Sequence, residues 1–125
     1  MKTFLRIILF IWQIPQCIVG LIYLLWYFLK GSPMTTDADV VQGEFFNSVS
    51  LGELVFVRFD AGENTRKHEL GHRKQSRMLG PLYLFVVGLP SLCLNILFRI
   101  GVLKYSDYFT HFPENWADRL GGVER

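Results

Sequence analysis

The sequence predicts a single domain of the α+β class that is integral to a membrane. The N-terminal segment is almost entirely apolar, and a stretch near the middle of the chain is rich in β-branched and aromatic residues. The segments that follow carry polar residues at helical spacing. The chain has 125 residues, half of them apolar, which is enough for one domain. Its net charge of +2 argues against nucleic acid as the main partner.

The first apolar run covers residues 4–29 and is interrupted by only a few polar residues and one proline. It is long enough to cross a bilayer core, which takes about 20 apolar residues. Trp26, Tyr27 and Lys30 at its far end are typical of an anchor at the membrane–water interface. A cleaved signal peptide is the alternative, but no small-x-small cleavage site follows the run. We therefore expect a retained transmembrane helix over residues 4–30.

Residues 31–64 are predicted to form a loop followed by two short strands. The first part, GSPMTTDADVVQGE, is polar and turn-rich, which indicates a loop. The second part, FFNSVSLGELVFVRFD, is typical of strands, and Ser50-Leu51-Gly52 supplies a turn between them. The second of these strands runs from Leu54 to Phe59 and alternates its side chains between two faces. We expect a small β-hairpin.

Polar helices are predicted over residues 65–79 and 113–121. Asn64 or Thr65 can cap the first helix, which ends at Gly80-Pro81. Pro113 suits the first turn of the second helix, and a pair of glycines ends it.

A broken apolar segment over residues 80–102 joins the two polar helices. Two short legs, Leu82 to Val87 and Ser91 to Ile100, can turn at Gly88-Leu89-Pro90. Ten helical residues span only about 15 Å, roughly half of the hydrocarbon core. We expect a re-entrant hairpin or two interfacial helices, and a homo-oligomer could complete the arrangement. A single full crossing of the membrane is the alternative.

The pentapeptide H-E-L-G-H at residues 68–72 is the motif that carries chemistry. Residues four apart share one face of a helix, so His68 and His72 can direct two imidazoles at one metal ion. Glu69 is placed to act as general base toward a water molecule that the metal activates. Two histidines, a carboxylate and one open position favour a single Zn²⁺ ion. The plainer interpretation is a surface helix with two solvated histidines.

A catalytic zinc site needs a third protein ligand. The candidates downstream are Asp107, His111, Glu114, Asp118 and Glu124. Glu114 and Asp118 are four apart on a predicted helix, so one can bind the metal while the other accepts a hydrogen bond from a ligating histidine. Two alternatives stay open. The two acids can form a solvated face near a helix N-terminus, or His111 can replace Glu114 as the ligand.

The order H-E-x-x-H and then E-x-x-x-D on a later helix resembles the pattern of the gluzincin metallopeptidases, thermolysin among them. The stretch E-N-W-A-D-R, which begins at Glu114, is similar to the E-x-x-A-D-R stretch of membrane zinc proteases. Those are the heat-shock membrane protease family and the type I prenyl-CaaX proteases. The resemblance implies that His68, His72 and Glu114 bind zinc. It also implies that Glu69 is the general base and that Asp118 supports a ligating histidine.

A peptidase also needs a hydrogen-bond donor for the oxyanion of its tetrahedral intermediate. Three residues close in sequence to Glu114 are candidates for this or another substrate contact: Tyr105, Tyr108 and His111. The plainer interpretation of each is an interfacial aromatic residue or a surface histidine.

An extended polypeptide substrate would pair with the edge of the second strand, by analogy with zincin architecture. The residues assigned to this edge are Leu54, Val55, Phe56 and Val57. We therefore expect a zinc-dependent metalloendopeptidase that hydrolyses membrane-associated or unfolded polypeptides near a bilayer surface. The alternatives are a non-catalytic membrane protein with a structural zinc or an interaction role, and a membrane protein in which the motif is accidental.

The expected membrane orientation follows from the two motifs together. If the second apolar segment crossed the bilayer once, Glu114 would lie about 30 Å from the histidines, so we expect this segment to return to its starting side. Basic residues crowd the histidine helix and favour the cytoplasmic face: Arg66, Lys67, Arg73, Lys74 and Arg77. Lys2 and Arg6 favour the opposite orientation. We expect the cytoplasmic (inner) membrane, with the site on its cytoplasmic side.

Overall fold

The computed structural model describes residues 2–37 and 40–123, which form a small α+β domain. The helices are α1 (Lys2–Trp12), α2 (Ile14–Leu29), α3 (Glu63–Leu79), α4 (Leu89–Arg99), α5 (Tyr105–Tyr108) and α6 (Glu114–Gly121). The strands are β1 (Met34–Asp37), β2 (Val40–Gly43), β3 (Val49–Leu51) and β4 (Leu54–Arg58). A 3₁₀ turn (Gly80–Leu82) and a π-helical turn (Leu84–Gly88) connect α3 to α4. The α+β class is confirmed, whereas the integral-membrane architecture predicted with it is contradicted.

The prediction of a transmembrane helix over residues 4–30 is wrong. No single helix in the described part of the chain is long and apolar enough to span a membrane. Helices α1 and α2 meet the criteria of length and composition only as a pair, and the pair is bent by 99°. The bend lies at Gln13, between the end of α1 and the start of α2.

The bend is held by two glutamines that are fully buried. Gln13 donates from Nε2 to the carbonyl oxygen of Leu9 and to Oε2 of Glu53, each at 2.9 Å. Gln16 donates from Nε2 to Oγ of Ser76 at 2.8 Å and to the carbonyl oxygen of Gly80 at 2.7 Å. These side chains attach the bend to the end of α3, because buried polar groups need hydrogen-bond partners. The polar residues that seemed to interrupt a membrane span are thus internal contacts of the domain.

The four strands form one sheet in the order β1-β2-β4-β3. The predicted hairpin is present as β3 and β4, which pair antiparallel across a turn where Gly52 has a φ of +70°. The segment predicted to be a loop contributes β1 and β2, and β2 runs parallel to β4. Strand β4 therefore has neighbours on both sides. The prediction that Leu54, Val55, Phe56 and Val57 form a substrate-binding edge is wrong, since the free edge beside the hairpin belongs to β3.

Side chains of β4 alternate between the two faces of the sheet, and one helix packs on each face. Phe56 lies in an aromatic cluster with Tyr23 of α2 and with Phe45, at ring-centroid distances of 4.8 and 5.3 Å. Val55 and Val57 point to the opposite face and pack toward Leu70 of α3. The sheet therefore supports α3, the helix that carries the histidines, on one of its faces.

Helix α6 packs along α3 at very short distance, because glycines occupy the contact. A Cβ atom on Gly71 would overlap the carbonyl oxygen of Ala117, and one on Gly121 would overlap the carbonyl oxygen of Lys67. Small residues allow the two backbones to touch, as in other close helix pairs. Side chains at the start of α6 are thereby brought onto the histidine face of α3.

The predicted reversal at Gly88-Leu89-Pro90 is wrong. Pro90 lies in the first turn of α4, where the missing N–H of proline is tolerated, so the helical path continues from the π-helical turn into α4. The break in this region lies at Gly80, whose φ of +58° ends α3 and whose Cα faces the ring of Trp12. The described residues do not form the re-entrant hairpin that the sequence predicted.

Candidate metal centre

His68, Glu69 and His72 lie on the buried side of α3, with exposures of 6%, 5% and 4%. The spacing of four residues brings the two imidazole rings to a centroid distance of 4.7 Å. Each of the three side chains offers a nitrogen or oxygen ligand atom within 4.8 Å of the other two, and the group can hold a metal ion. The interpretation of a surface helix with solvated histidines is therefore excluded.

Two carboxylates from α6 reach this group. Glu114 is fully buried, and its Oε2 lies 2.6 Å from Nε2 of His68 and 3.1 Å from Nε2 of His72. The two Nε2 atoms are themselves 3.1 Å apart. Asp118 lies one turn further along α6, with Oδ1 2.7 Å from Nδ1 of His68. Glu114 and Asp118 thus approach His68 at different ring nitrogens, and the interpretation of a solvated acidic face is excluded.

The partners of the two Nδ1 atoms define the charge that the centre requires. Nδ1–H of His68 donates to Asp118, and Nδ1–H of His72 donates to Oε1 of Gln75 at 2.7 Å. The orientation of the Gln75 amide follows from its other end, where Nε2 donates to the carbonyl oxygen of Pro113 at 3.2 Å. Each neutral imidazole then presents only a lone pair at Nε2. Two such lone pairs and an oxygen of Glu114 converge, so a proton or a metal cation has to lie between them.

Electrostatics within the centre reflect its burial. Burial raises the pKa of Glu69 to about 8, and the charge of Glu114 adds to this effect while His72 opposes it. Burial alone would raise the pKa of Glu114, but hydrogen bonds from His68 and His72 hold it well below its usual range. Burial disfavours protonation of His72, yet its hydrogen bond to Glu114 and the charge of Glu69 raise its pKa. The buried centre thus holds ionisable side chains of both signs close together.

Helices α4 and α5 contribute further contacts to the centre. Ser91, in the first turn of α4, donates from Oγ to Oε1 of Glu114, so both oxygens of that carboxylate are engaged. Tyr108 of α5 interacts with Ser91 and Asn95, and burial raises the pKa of its hydroxyl. The ring of Phe109 packs edge-on against His68 at a centroid distance of 5.2 Å. Of the predicted oxyanion candidates, Tyr108 is the one that these contacts bring to the centre.

The other sequence candidates lie elsewhere. The ring of His111 is exposed, and its Nδ1 lies 2.8 Å from the carbonyl oxygen of Asp107 in its own turn. The structure therefore brings Glu114, and not His111, to His68 and His72. The side chain of Tyr105 and the whole of Glu124 lie outside the described residues.

The outer edge of β3 lies close to the same centre. Leu51 and Leu54 close the two-residue hairpin turn and exchange hydrogen bonds, so Ser50 directs its N–H and C=O away from β4. The hydroxyl of Tyr83, a buried residue, lies 3.4 Å from the carbonyl oxygen of Ser50. Burial and the charges of Glu69 and Glu114 raise the pKa of Tyr83.

Sequence reasoning missed Gln75, Tyr83 and Ser91. Gln75 follows His72 by three residues, and this spacing alone places both side chains on one side of a helix. Tyr83 and Ser91 are polar residues within an apolar segment. A hydroxyl in such a segment indicates a buried hydrogen-bond partner, which here is Ser50 or Glu114.

No family model matches the chain, and no curated protein or solved structure matches it. The resemblance to gluzincins therefore stays limited to two short motifs, and the chemistry of the centre must be argued from its own geometry.

Proposed function

We propose that this protein is a zinc metallopeptidase in which His68, His72 and Glu114 bind the metal and Glu69 is the general base. The observation that carries the proposal is the convergence of the three ligand atoms beside a buried carboxylate oxygen. Among the described residues, Oε2 of Glu69 has no hydrogen-bond partner. A buried carboxylate oxygen without a partner is costly, so a ligand at this position explains it.

Zinc fits the geometry and the donor set. Tetrahedral zinc with bonds of 2.0–2.1 Å places its ligand atoms about 3.3 Å apart. Two of the three separations here are 3.1 Å, close to this value, and the third, between Nε2 of His68 and Oε2 of Glu114, is shorter at 2.6 Å. Two imidazoles and one carboxylate are the protein ligands of many catalytic zinc sites. Asp118 and Gln75 supply the Nδ1 partners that ligating histidines require to hold their orientation.

The proposed reaction is hydrolysis of a peptide bond. A bound zinc ion polarises the carbonyl group and lowers the pKa of water to about 7. Glu69 accepts a proton from water as the water oxygen bonds to the carbonyl carbon. The same residue donates that proton to the amide nitrogen as the carbon–nitrogen bond breaks. One water is consumed, and an acid and an amine leave.

A substrate contact is proposed for Tyr108. The hydroxyl of Tyr108 can donate to the carbonyl oxygen as negative charge develops there. The proposed substrates are membrane-associated or unfolded polypeptides, since folded proteins offer few accessible extended segments.

A non-catalytic protein with a structural zinc is the second candidate, and the burial of the centre favours it. Glu114 is fully buried, whereas a catalytic zinc needs an open coordination position. Glu69 argues for catalysis, because a structural site has no use for an unpaired carboxylate beside its ligands.

The decisive comparison is between Glu69→Gln and Glu63→Gln, two substitutions on the same helix. Glu63 is exposed in the first turn of α3 and serves as the matched control. We expect both variants to bind one zinc ion per chain. Wild type and Glu63→Gln should cleave a fluorescently labelled unfolded casein, while Glu69→Gln should lose at least about 100-fold in rate. Undiminished cleavage by Glu69→Gln would remove Glu69 from the mechanism. A zinc-loaded wild type that cleaves no polypeptide would favour the structural alternative.

A further inference from the structure

The outer face of α2 is apolar and exposed along the whole helix. We define this face as Ile14, Ile18, Ile22, Leu25, Trp26 and Leu29, whose exposures lie between 44% and 72%. The opposite face of α2 carries Gln16, Cys17 and Gly20, which are buried. The polar side chain is therefore inside and the large apolar ones are outside. This is the reverse of an amphipathic helix on a protein surrounded by water.

An exposed apolar face of this extent indicates a binding surface, because monomeric proteins in water rarely expose such patches. The ends of the apolar region indicate what covers it. Nζ of Lys30 lies over the rings of Trp26 and Tyr27, at 5.8 and 5.3 Å from their centroids. Tyr27 is buried within the domain, whereas Trp26 and Lys30 are exposed, and tryptophan with lysine is typical of the boundary between acyl chains and lipid headgroups.

The charge pattern favours a bilayer over a protein partner. Lys2 and Arg6 precede the apolar region and Lys30 follows it, with no charged residue in the sequence between Ile7 and Leu29. Protein interfaces usually have a polar rim with hydrogen bonds, and the outer face of α2 offers no polar side chain for one. Lys2 and Arg6 lie on α1, whereas Lys30 directly follows α2 and matches an anionic leaflet at that end of the helix.

We propose that the outer face of α2 seats the protein on the surface of an anionic lipid bilayer, with its side chains among the acyl chains of one leaflet. Helix α2 has 16 residues and is therefore about 24 Å long. Its bend of 99° against α1 is compatible with a helix that lies along the leaflet. This binding does not depend on the metal centre, and it would bring the centre close to membrane-associated polypeptides.

Vesicle flotation with site-specific quenching tests the proposal on the intact chain. The vesicles contain phosphatidylcholine with or without phosphatidylglycerol. The test variant is Ile18→Ser/Ile22→Ser/Leu25→Ser on the outer face. The matched control is Phe59→Ser/Met78→Ser, which changes exposed apolar residues outside α1 and α2. Quenching by brominated phosphatidylcholine is measured for wild type and for Trp26→Phe, so that a reading is available even if the triple variant fails to fold.

We expect wild type and the control to float with phosphatidylglycerol vesicles, and the triple variant to partition at least about tenfold less. Bromine near the top of the acyl chains should quench wild-type fluorescence, and Trp26→Phe should lose most of that quenching. Wild type that stays in the aqueous fraction would overturn the proposal. So would a soluble dimer that the triple variant dissociates, because the face would then belong to a second copy of the chain.

Discussion

Oδ1 of Asp118 lies 2.7 Å from Nδ1 of His68, although 50 residues separate the two in sequence. The contact holds the His68 ring so that Nε2 faces His72 and Glu114. A carboxylate at this position would also raise the basicity of Nε2 of His68 toward a bound metal ion. The centre is thus built from both helices, and neither α3 nor α6 can form it alone.

Asp118→Asn should weaken zinc binding by about 10- to 100-fold, since the amide cannot support the His68 imidazole as a carboxylate does. Competition against a fluorescent zinc chelator at neutral pH measures the change. Asp107→Asn, which removes an exposed acid, should bind zinc like wild type. Equal affinity for Asp118→Asn and Asp107→Asn would show that the contact does not contribute to the metal site.

Gly71→Ala should separate the two helices and destabilise the protein by about 1–3 kcal/mol, because the new methyl group overlaps the carbonyl oxygen of Ala117. Alanine would otherwise stabilise a helix interior by up to about 1 kcal/mol relative to glycine. A decrease in the free energy of unfolding would therefore indicate that the backbones of α3 and α6 are in contact at Gly71. Urea denaturation measures this free energy. Gly62→Ala is the control, since a Cβ there meets no atom within 4 Å. A more stable Gly71→Ala protein would contradict the packing of α6 on α3.

The free energy of unfolding should decrease in acid, because Glu53 forms an ion pair with Arg77 that protonation of Glu53 would remove. The closest atoms of the pair are 2.7 Å apart. Burial would raise the pKa of Glu53, but hydrogen bonds from Arg77 and Gln13 and the charge of Arg73 lower it overall. A lowered pKa in the folded state means that this stabilisation is present at neutral pH. The stabilisation begins to be lost below about pH 4.3, where Glu53 of the unfolded chain takes up a proton. The loss continues until the pH falls below the lower pKa that Glu53 has in the folded protein.

The test of this pH dependence compares wild type with Glu53→Gln in metal-free buffer, so that zinc release does not contribute. Denaturation of wild type should show a steeper loss of unfolding free energy between neutral pH and pH values below 4 than that of the variant. Parallel curves for the two proteins would mean that Glu53 has the same pKa in the folded and unfolded states.

Tyr108→Phe should reduce kcat by about 100-fold or more while KM and zinc content stay close to wild type, because the lost donor acts mainly in the transition state. Tyr23→Phe removes a hydroxyl in the aromatic cluster beside the sheet and should leave kcat unchanged. A loss of zinc in Tyr108→Phe would instead indicate that the hydroxyl supports the ligand Glu114 through Ser91.

The histidine and glutamate helices were predictable because their signals are local. A spacing of four residues determines which side chains share a helix face, and this holds for His68 with His72 and for Glu114 with Asp118. That the histidine pair and the acid pair come together in space was predicted from the resemblance of the two motifs to those of gluzincins. Ser91, which donates to Glu114, gave no sequence signal strong enough to join it to them.

The N-terminal helices and the sheet were not predictable in the same way. Hydrophobicity along residues 4–30 does not reveal that Gln13 and Gln16 both bond to Ser76 of α3, and that these contacts hold the bend. Strand β1 reads MTTD and is too short and polar for a periodic signal. The parallel pairing of β2 with β4 is a long-range contact, and it is what places β4 in the interior of the sheet.

X-ray absorption at the zinc edge of the purified protein tests the central claim most directly. We expect one zinc ion per chain, with nitrogen and oxygen neighbours at about 2.0–2.2 Å and two imidazole rings in the scattering pattern. Glu114→Gln should lose one of the oxygen neighbours or the metal itself. A protein without bound zinc, or a zinc ion with sulfur neighbours at about 2.3 Å, would contradict the assignment of His68, His72 and Glu114 as its ligands.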